Sequence, residues 1–224
     1  MENKLKVYEL LMDENDDKIG IRYISIVTNP AIEANFIKFS IDTDIKTEEY
    51  KTTFKVQDAE KRYLLGPVCI PDIPIYRKEV DTLGNITSEY YVTMSKDTIE
   101  KVMRKFMKNG FTKNIDQNHS VDLKDVYIIE NWIIGSDPKK DKSSLYGLDY
   151  PEGTWMTTIF CENEDYWNQY LKGKNDLNGF SIDGMLNKSM NPIAEMTKLS
   201  SHLENEPDFN ELADILIDFL NKME

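Results

Sequence analysis

One ten-residue stretch, Leu177–Leu186, reads L-N-G-F-S-I-D-G-M-L and narrows what the chain around it can fold into. Apolar residues flank Ser181, and Gly179 and Gly184 bracket the group. That pattern reads as a short strand carrying a hydroxyl where another backbone or a substrate comes close. A second stretch, I-D-Q-N-H-S-V-D, holds His119, and the chain has 2 histidines in all. Few groups could therefore take a proton from Ser181 near neutral pH. The expectation is that the two stretches meet in space and make a serine hydrolase site.

Around these anchors the chain reads as strands. Lys4–Leu11 and the β-branched run Ile19–Val27 are predicted strands, separated by the acidic loop Asp13–Asp17. Phe36–Ile41, Thr52–Val56 and Arg62–Ile70 follow, then an extended edge segment, Pro71–Arg77, and a strand at Tyr90–Met94 beyond the turn at Gly84-Asn85. The period then changes. Asp97 and Glu100 fit a capping box, and Ile99, Val102, Met103, Phe106 and Met107 recur at helical spacing until Gly110. Strands are predicted at Val126–Ile134 and Gly153–Cys161, with a polar loop between them at Asp137–Tyr150. A short helix is predicted at Glu164–Leu171. The stretch from Asn187 to Asn205 is weakly patterned, and Asp208–Leu220 reads as an amphipathic helix. The class is α+β and strand-rich, with a mostly antiparallel closed β-barrel and surrounding helices. Residues 1–190 form the expected barrel domain, and 191–224 a polar linker with the terminal helix.

Composition excludes several classes. With 224 residues and a net charge of -13, the chain offers no basic face for nucleic acid. The basic run Lys101–Lys108 falls on the helix and reads as its solvated side. No apolar run approaches the ~20 residues that span a bilayer, so no membrane partner is expected, and the N-terminus lacks a signal-peptide pattern. Cys69 and Cys161 lie in apolar runs and are expected as buried, reduced thiols. Scattered His and Cys residues, and the lack of any phosphate or dinucleotide motif, predict neither metal nor cofactor.

A serine hydroxyl needs a base before it becomes a useful nucleophile, and a third group usually orients that base. The string G-F-S-I-D-G is not the G-x-S-x-G elbow, because its second glycine stands one place late, so an α/β-hydrolase is disfavoured.

Five motifs carry a more specific signal: N-H-S (Asn118–Ser120), E-N-W-I-I (Glu130–Ile134), D-K-S-S-L-Y-G (Asp141–Gly147), G-T-W (Gly153–Trp155) and G-F-S-I-D-G (Gly179–Gly184). Upstream stand I-S-I-V-T-N-P-A-I-E and L-G-P-V-C-I-P. In order and spacing the set resembles the phage prohead (capsid maturation) serine proteases, in the XkdF-like branch. The resemblance implies a herpesvirus-protease-like fold and peptide hydrolysis, with Ser181 as nucleophile and His119 as general base. Related prohead proteases carry an acid after the serine, in a strand reading roughly E-x-S-L-V-T-x-P-A. Here that phrase stands before the serine, as Y-I-S-I-V-T-N-P-A, which implies a circularly permuted arrangement. Tyr23 occupies the acid's place. Glu130 is therefore the expected third catalytic residue, with Asp183 and His202 as alternatives. No arginine follows Arg104, so the arginine-bearing oxyanion loop of herpesvirus-type enzymes has no counterpart. The implied partners are capsid and scaffold precursor proteins and a second copy in a homodimer. The implied setting is the host cytoplasm, inside the immature capsid. The competing reading is a non-enzymatic virion or assembly protein on the same fold.

Overall fold

The computed structural model describes residues 4–28, 37–39, 61–171, 177 and 179–197. The predictions at Thr52–Val56, His202 and Asp208–Leu220 lie outside them.

The described chain is α+β and strand-rich, in three sheets. In the first, β1 (Lys4–Leu11) pairs in parallel with β6 (Ile86–Thr93), and β6 pairs with β5 (Ile75–Val80) at the edge. Along the other side of β1 run β12 (Asn187–Lys188) and β13 (Ala194–Thr197), both antiparallel. The ladder thus continues through Thr197, into the stretch read as linker. Its weak hydrophobic pattern hid the strands, because two to four residues are too few to show a period.

The second sheet runs β3 (Ile37–Phe39), β4 (Tyr63–Cys69), β10 (Trp155–Cys161), β9 (Val126–Ile133). The third runs β11 (Gly179–Met185), β2 (Gly20–Val27), β7 (Ile115–Gln117), β8 (Val121–Asp122). Antiparallel pairings dominate, as expected, but the closed barrel is not formed. β11 lies against β4, yet β4 is already bonded on both sides, by β3 and β10. On its side β3 covers only Tyr63–Leu65, but among the described residues no ladder joins β11 to the rest of β4, so the sheets stay open.

The predicted helix is α1 (Lys96–Lys108), and it packs on β2. Its cap lies two residues before the expected capping box: the Ser95 hydroxyl accepts the Thr98 N–H, and Asp97 sits in the first turn. Gly110, at φ 72°, closes the helix in the left-handed conformation. Ile99, Val102 and Phe106 are fully buried, and Phe106 meets Trp155 edge-on at 5.5 Å. Met107, at the end of the stripe, is exposed. One residue of the basic run is not solvated. Lys105 is 8% exposed and its Nζ donates to the main-chain carbonyls of Asp13, Glu14 and Asp16. It ties the β1–β2 loop to the helix. The second helix, α2 (Glu164–Tyr166), continues as a wider turn through Leu171. Cys69 and Cys161 are free and buried, and burial pushes their thiols up to about 12 and about 11.

The third sheet has two distinct faces. Ile24 and Ile26 of β2, with Phe180 of β11, point into the main core and are fully buried. The alternation of a strand then sends Ser25 and Ser181 to the opposite face.

Candidate active site

The close backbone approach expected around Ser181 occurs at Gly184. A Cβ there would stand 2.2 Å from the Gly20 carbonyl oxygen and 2.6 Å from the Ile21 Cα. Only glycine lets β11 pack this tightly on the start of β2, and the ladder shifts register just before it, between Asp183 and Gly184.

That ladder fixes what faces what. Ser181 lies directly opposite Ser25, and Ser25 is in register with Asp116 on β7. Opposite residues share a face with Cβ atoms about 4.5–5.5 Å apart. Three strands therefore place a row of polar groups, Ser181–Ser25–Asp116, on one face. Asp122 of β8 extends the row to the surface. Ser25 is fully buried, Asp116 is 5% exposed and Ser181 8%.

His119 sits over this row, on the turn between β7 and β8. Asn118 and His119 both have positive φ, 51° and 56°. The Ser120 N–H returns to the Gln117 carbonyl at 3.1 Å, which closes a tight turn of the kind that needs left-handed backbone at both central residues. Such backbone is strained for a histidine and persists because its surroundings hold it. The Asn118 N–H donates to the Ile26 carbonyl, and the Asn118 Oδ1 accepts the Thr28 N–H at 3.1 Å. The Asp116 Oδ1 accepts the His119 main-chain N–H at 3.0 Å. Tyr166 of α2 donates its hydroxyl to the Gln117 Oε1. Held in this way, the imidazole brings Nδ1 to 2.9 Å from the Ser25 Oγ.

The sequence-predicted residues divide accordingly. Ser181 and His119 come to the same face, one strand apart, and Ser25 between them makes the direct contact with the ring. Glu130 is not brought to this place. It stands on β9 in the second sheet, where Lys142 pairs with it at 2.9 Å and the Thr158 hydroxyl donates to it at 2.7 Å. Neither of its oxygens contacts His119. Burial alone would raise its carboxyl, but the contacts from Lys142 and Thr158 outweigh that and hold it below its usual value. Asp183 is exposed and lies opposite Tyr23. The residue that sequence reading missed is Ser25. Its signal was present: I-S-I in β2 repeats the pattern F-S-I in β11, a small hydroxyl between apolar neighbours. Ser25 also lies two residues beyond Tyr23, on the same face of the strand that stood in the acid's slot.

A family model described as "Putative phage serine protease XkdF" matches residues 50–189. The chain belongs to this family. Among curated proteins and among solved structures, nothing matches. His119 and Ser181 lie inside the matched stretch of this phage serine protease family, while Ser25 and the whole of β1 and β2 precede it. Among the described residues no group of His, Cys, Asp and Glu could hold a metal ion, and no helix is long and apolar enough to cross a membrane.

Proposed function

We propose that the chain is a serine endopeptidase of phage capsid maturation, with Ser181 as nucleophile and His119 as general base. The observation that carries the reading is the imidazole seated on a face where two strands present opposed serines. In this scheme the Ser181 Oγ attacks a peptide carbonyl while its proton passes to His119. The tetrahedral intermediate collapses as the C–N bond breaks, and the imidazolium gives the proton to the leaving amine. Water then repeats the sequence on the acyl-enzyme. Asp116, buried beneath the turn, contributes negative charge near the imidazolium as it forms. The substrates are capsid and scaffold precursors, and then the enzyme itself, inside the immature capsid. The three open sheets represent a permuted herpesvirus-protease-like architecture, and the enzyme works as a homodimer.

A second reading, an inactive assembly protein, has one observation in its favour. Among the described residues no carboxylate contacts the ring of His119.

Co-expression with the capsid and scaffold precursors, compared by mass spectrometry with Ser181→Ala, separates the two. Fragments present only with the native serine are expected. Matching fragment patterns would favour the inactive reading. An alkyl fluorophosphonate gives a check free of substrate. The serine oxygen bonds to phosphorus, fluoride leaves, and the hydroxyl proton passes to the base. The adduct is expected on Ser181.

A further inference from the structure

We propose that Ser25 is the positioning residue of this site, accepting the Nδ1–H of His119 and so leaving Nε2 as the nitrogen that takes the nucleophile's proton. The inference rests on the reading of Ser181 as nucleophile and supplies the third member that Glu130 does not.

A neutral imidazole carries one N–H and one lone pair. The 2.9 Å contact between the Ser25 Oγ and Nδ1 uses one of these nitrogens. If Ser25 donated its proton, Nδ1 would hold the accepting lone pair, and Nε2 would be protonated and useless as a base. Ser25 would then itself be the activated hydroxyl. Burial argues against that arrangement. Ser25 is fully enclosed, so no peptide carbonyl reaches its oxygen. Ser181, directly opposite, retains some exposure, and its hydroxyl is not among the fully enclosed polar atoms that lack a partner. His119 is itself exposed, and among the described residues the hydrogen bond its ring makes is at Nδ1. The nitrogen left open is Nε2. The productive tautomer therefore has the proton on Nδ1, donated to Ser25.

The placement gives Ser25 the role that a carboxylate plays in other triads, fixing tautomer and ring orientation. A hydroxyl can serve because negative charge is supplied separately. Asp116 is Ser25's in-register neighbour, with its Oδ1 on the main chain of the same histidine. The other ionisable groups on this face are Asp122, Asp183 and Tyr23, all at least partly exposed.

The test reads the tautomer directly. Imidazole ¹⁵N NMR on the full chain, with His202→Gln to assign the two histidines, is expected to show His119 protonated on Nδ1. Free imidazole side chains favour Nε2–H, and Ser25→Ala is expected to return His119 to that form. Ser25→Thr, which keeps the hydroxyl, is expected to hold the Nδ1–H tautomer. In parallel, the rate of fluorophosphonate labelling at Ser181 should fall about 10²-fold in Ser25→Ala, on the scale of general-base catalysis, and recover in Ser25→Thr. An Nε2–H tautomer in the native protein, or an adduct mapped to Ser25, would overturn the assignment. Failure of the native protein to label at all would instead sink the hydrolase reading, while the tautomer still decides whether Ser25 holds Nδ1.

Discussion

The motifs that carry the family resemblance fall into two spatial groups with opposite characters. In the second sheet, E-N-W on β9 is bonded residue by residue to two other motifs. Glu130 pairs with Lys142, the Asn131 Oδ1 accepts the indole N–H of Trp155 at 2.7 Å, and Trp132 donates its indole N–H to Asp141 at 3.1 Å. Lys142 also sits 3.7 Å above the Trp132 ring. The neighbouring Thr157 and Thr158 hydroxyls donate into the same strand. Every one of these groups is already engaged, which is what a scaffold requires of buried and half-buried polar atoms. In the third sheet the turn around His119 is held as tightly, but among the described residues its second ring nitrogen has no hydrogen-bond partner, and a second serine, Ser181, lies across the ladder from Ser25. An unpaired hydroxyl alone would not mark a site, since Ser143 and Thr154, within the scaffold motifs themselves, are buried without partners. What distinguishes Ser181 is the histidine one strand away.

The difference can be broken most forcefully at Gly184. An added methyl collides with the Gly20 carbonyl and the Ile21 Cα, both backbone, so β11 must lift from β2. Gly184→Ala is expected to lose about 3 kcal/mol of stability, the upper range for overpacking. Denaturant unfolding measures the loss, and labelling at Ser181 should fall with it, since the serines no longer oppose. A melt unchanged from the native protein would show that the β2–β11 approach is softer than its geometry.

Asp116 tests the site without moving the sheet. Asp116→Asn keeps an oxygen for the His119 N–H but removes the charge. A hydrogen bond to a charged group contributes about 1.5–3 kcal/mol, and a neutral acceptor retains part of that. The expected result is a stability loss near 1 kcal/mol by denaturant titration with a larger proportional drop in labelling rate. Equal losses in both would assign Asp116 to the scaffold instead.

How far all this was legible depends on the length of each pattern. The long β-branched runs gave β1, β2, β4 and β9 nearly to the residue, because turn residues bound them. The helix was legible from its stripe, although Ser95 took the cap that Asp97 seemed to offer. β7 and β8, three and two residues long, carry no readable period, and the strained turn between them cannot be seen from composition. The Ser25–His119 bond joins residues 94 apart, and nothing local announces such a contact. Glu130's contacts were not legible either, because an acid in an apolar strand looks uncommitted until Lys142 and Thr158 are placed beside it. The barrel was misread for a related reason: which strand edges are already occupied is a property of the pairing, not of the pattern.

Glu130→Gln should have the smallest effect and gives the sharpest contrast. The amide keeps an acceptor for Thr158 and loses the ion pair to Lys142, whose two side chains are both well exposed, at 49% and 39%. Exposed pairs of this kind contribute about 0.2–1 kcal/mol, so the melt should shift by only a few degrees and labelling at Ser181 should stay within about twofold. The pH dependence has a definite sign. The folded carboxyl titrates below its ordinary value of 4.5, so the unfolded chain binds the proton first as pH falls. The pair's contribution is present above that ordinary value and is lost as pH drops through the folded one. Glu130→Gln should therefore flatten the acid limb of the stability curve and leave it unchanged near neutrality apart from the small offset. A loss of labelling comparable to that of Ser25→Ala would return Glu130 to the catalytic group and dissolve the distinction between the two clusters.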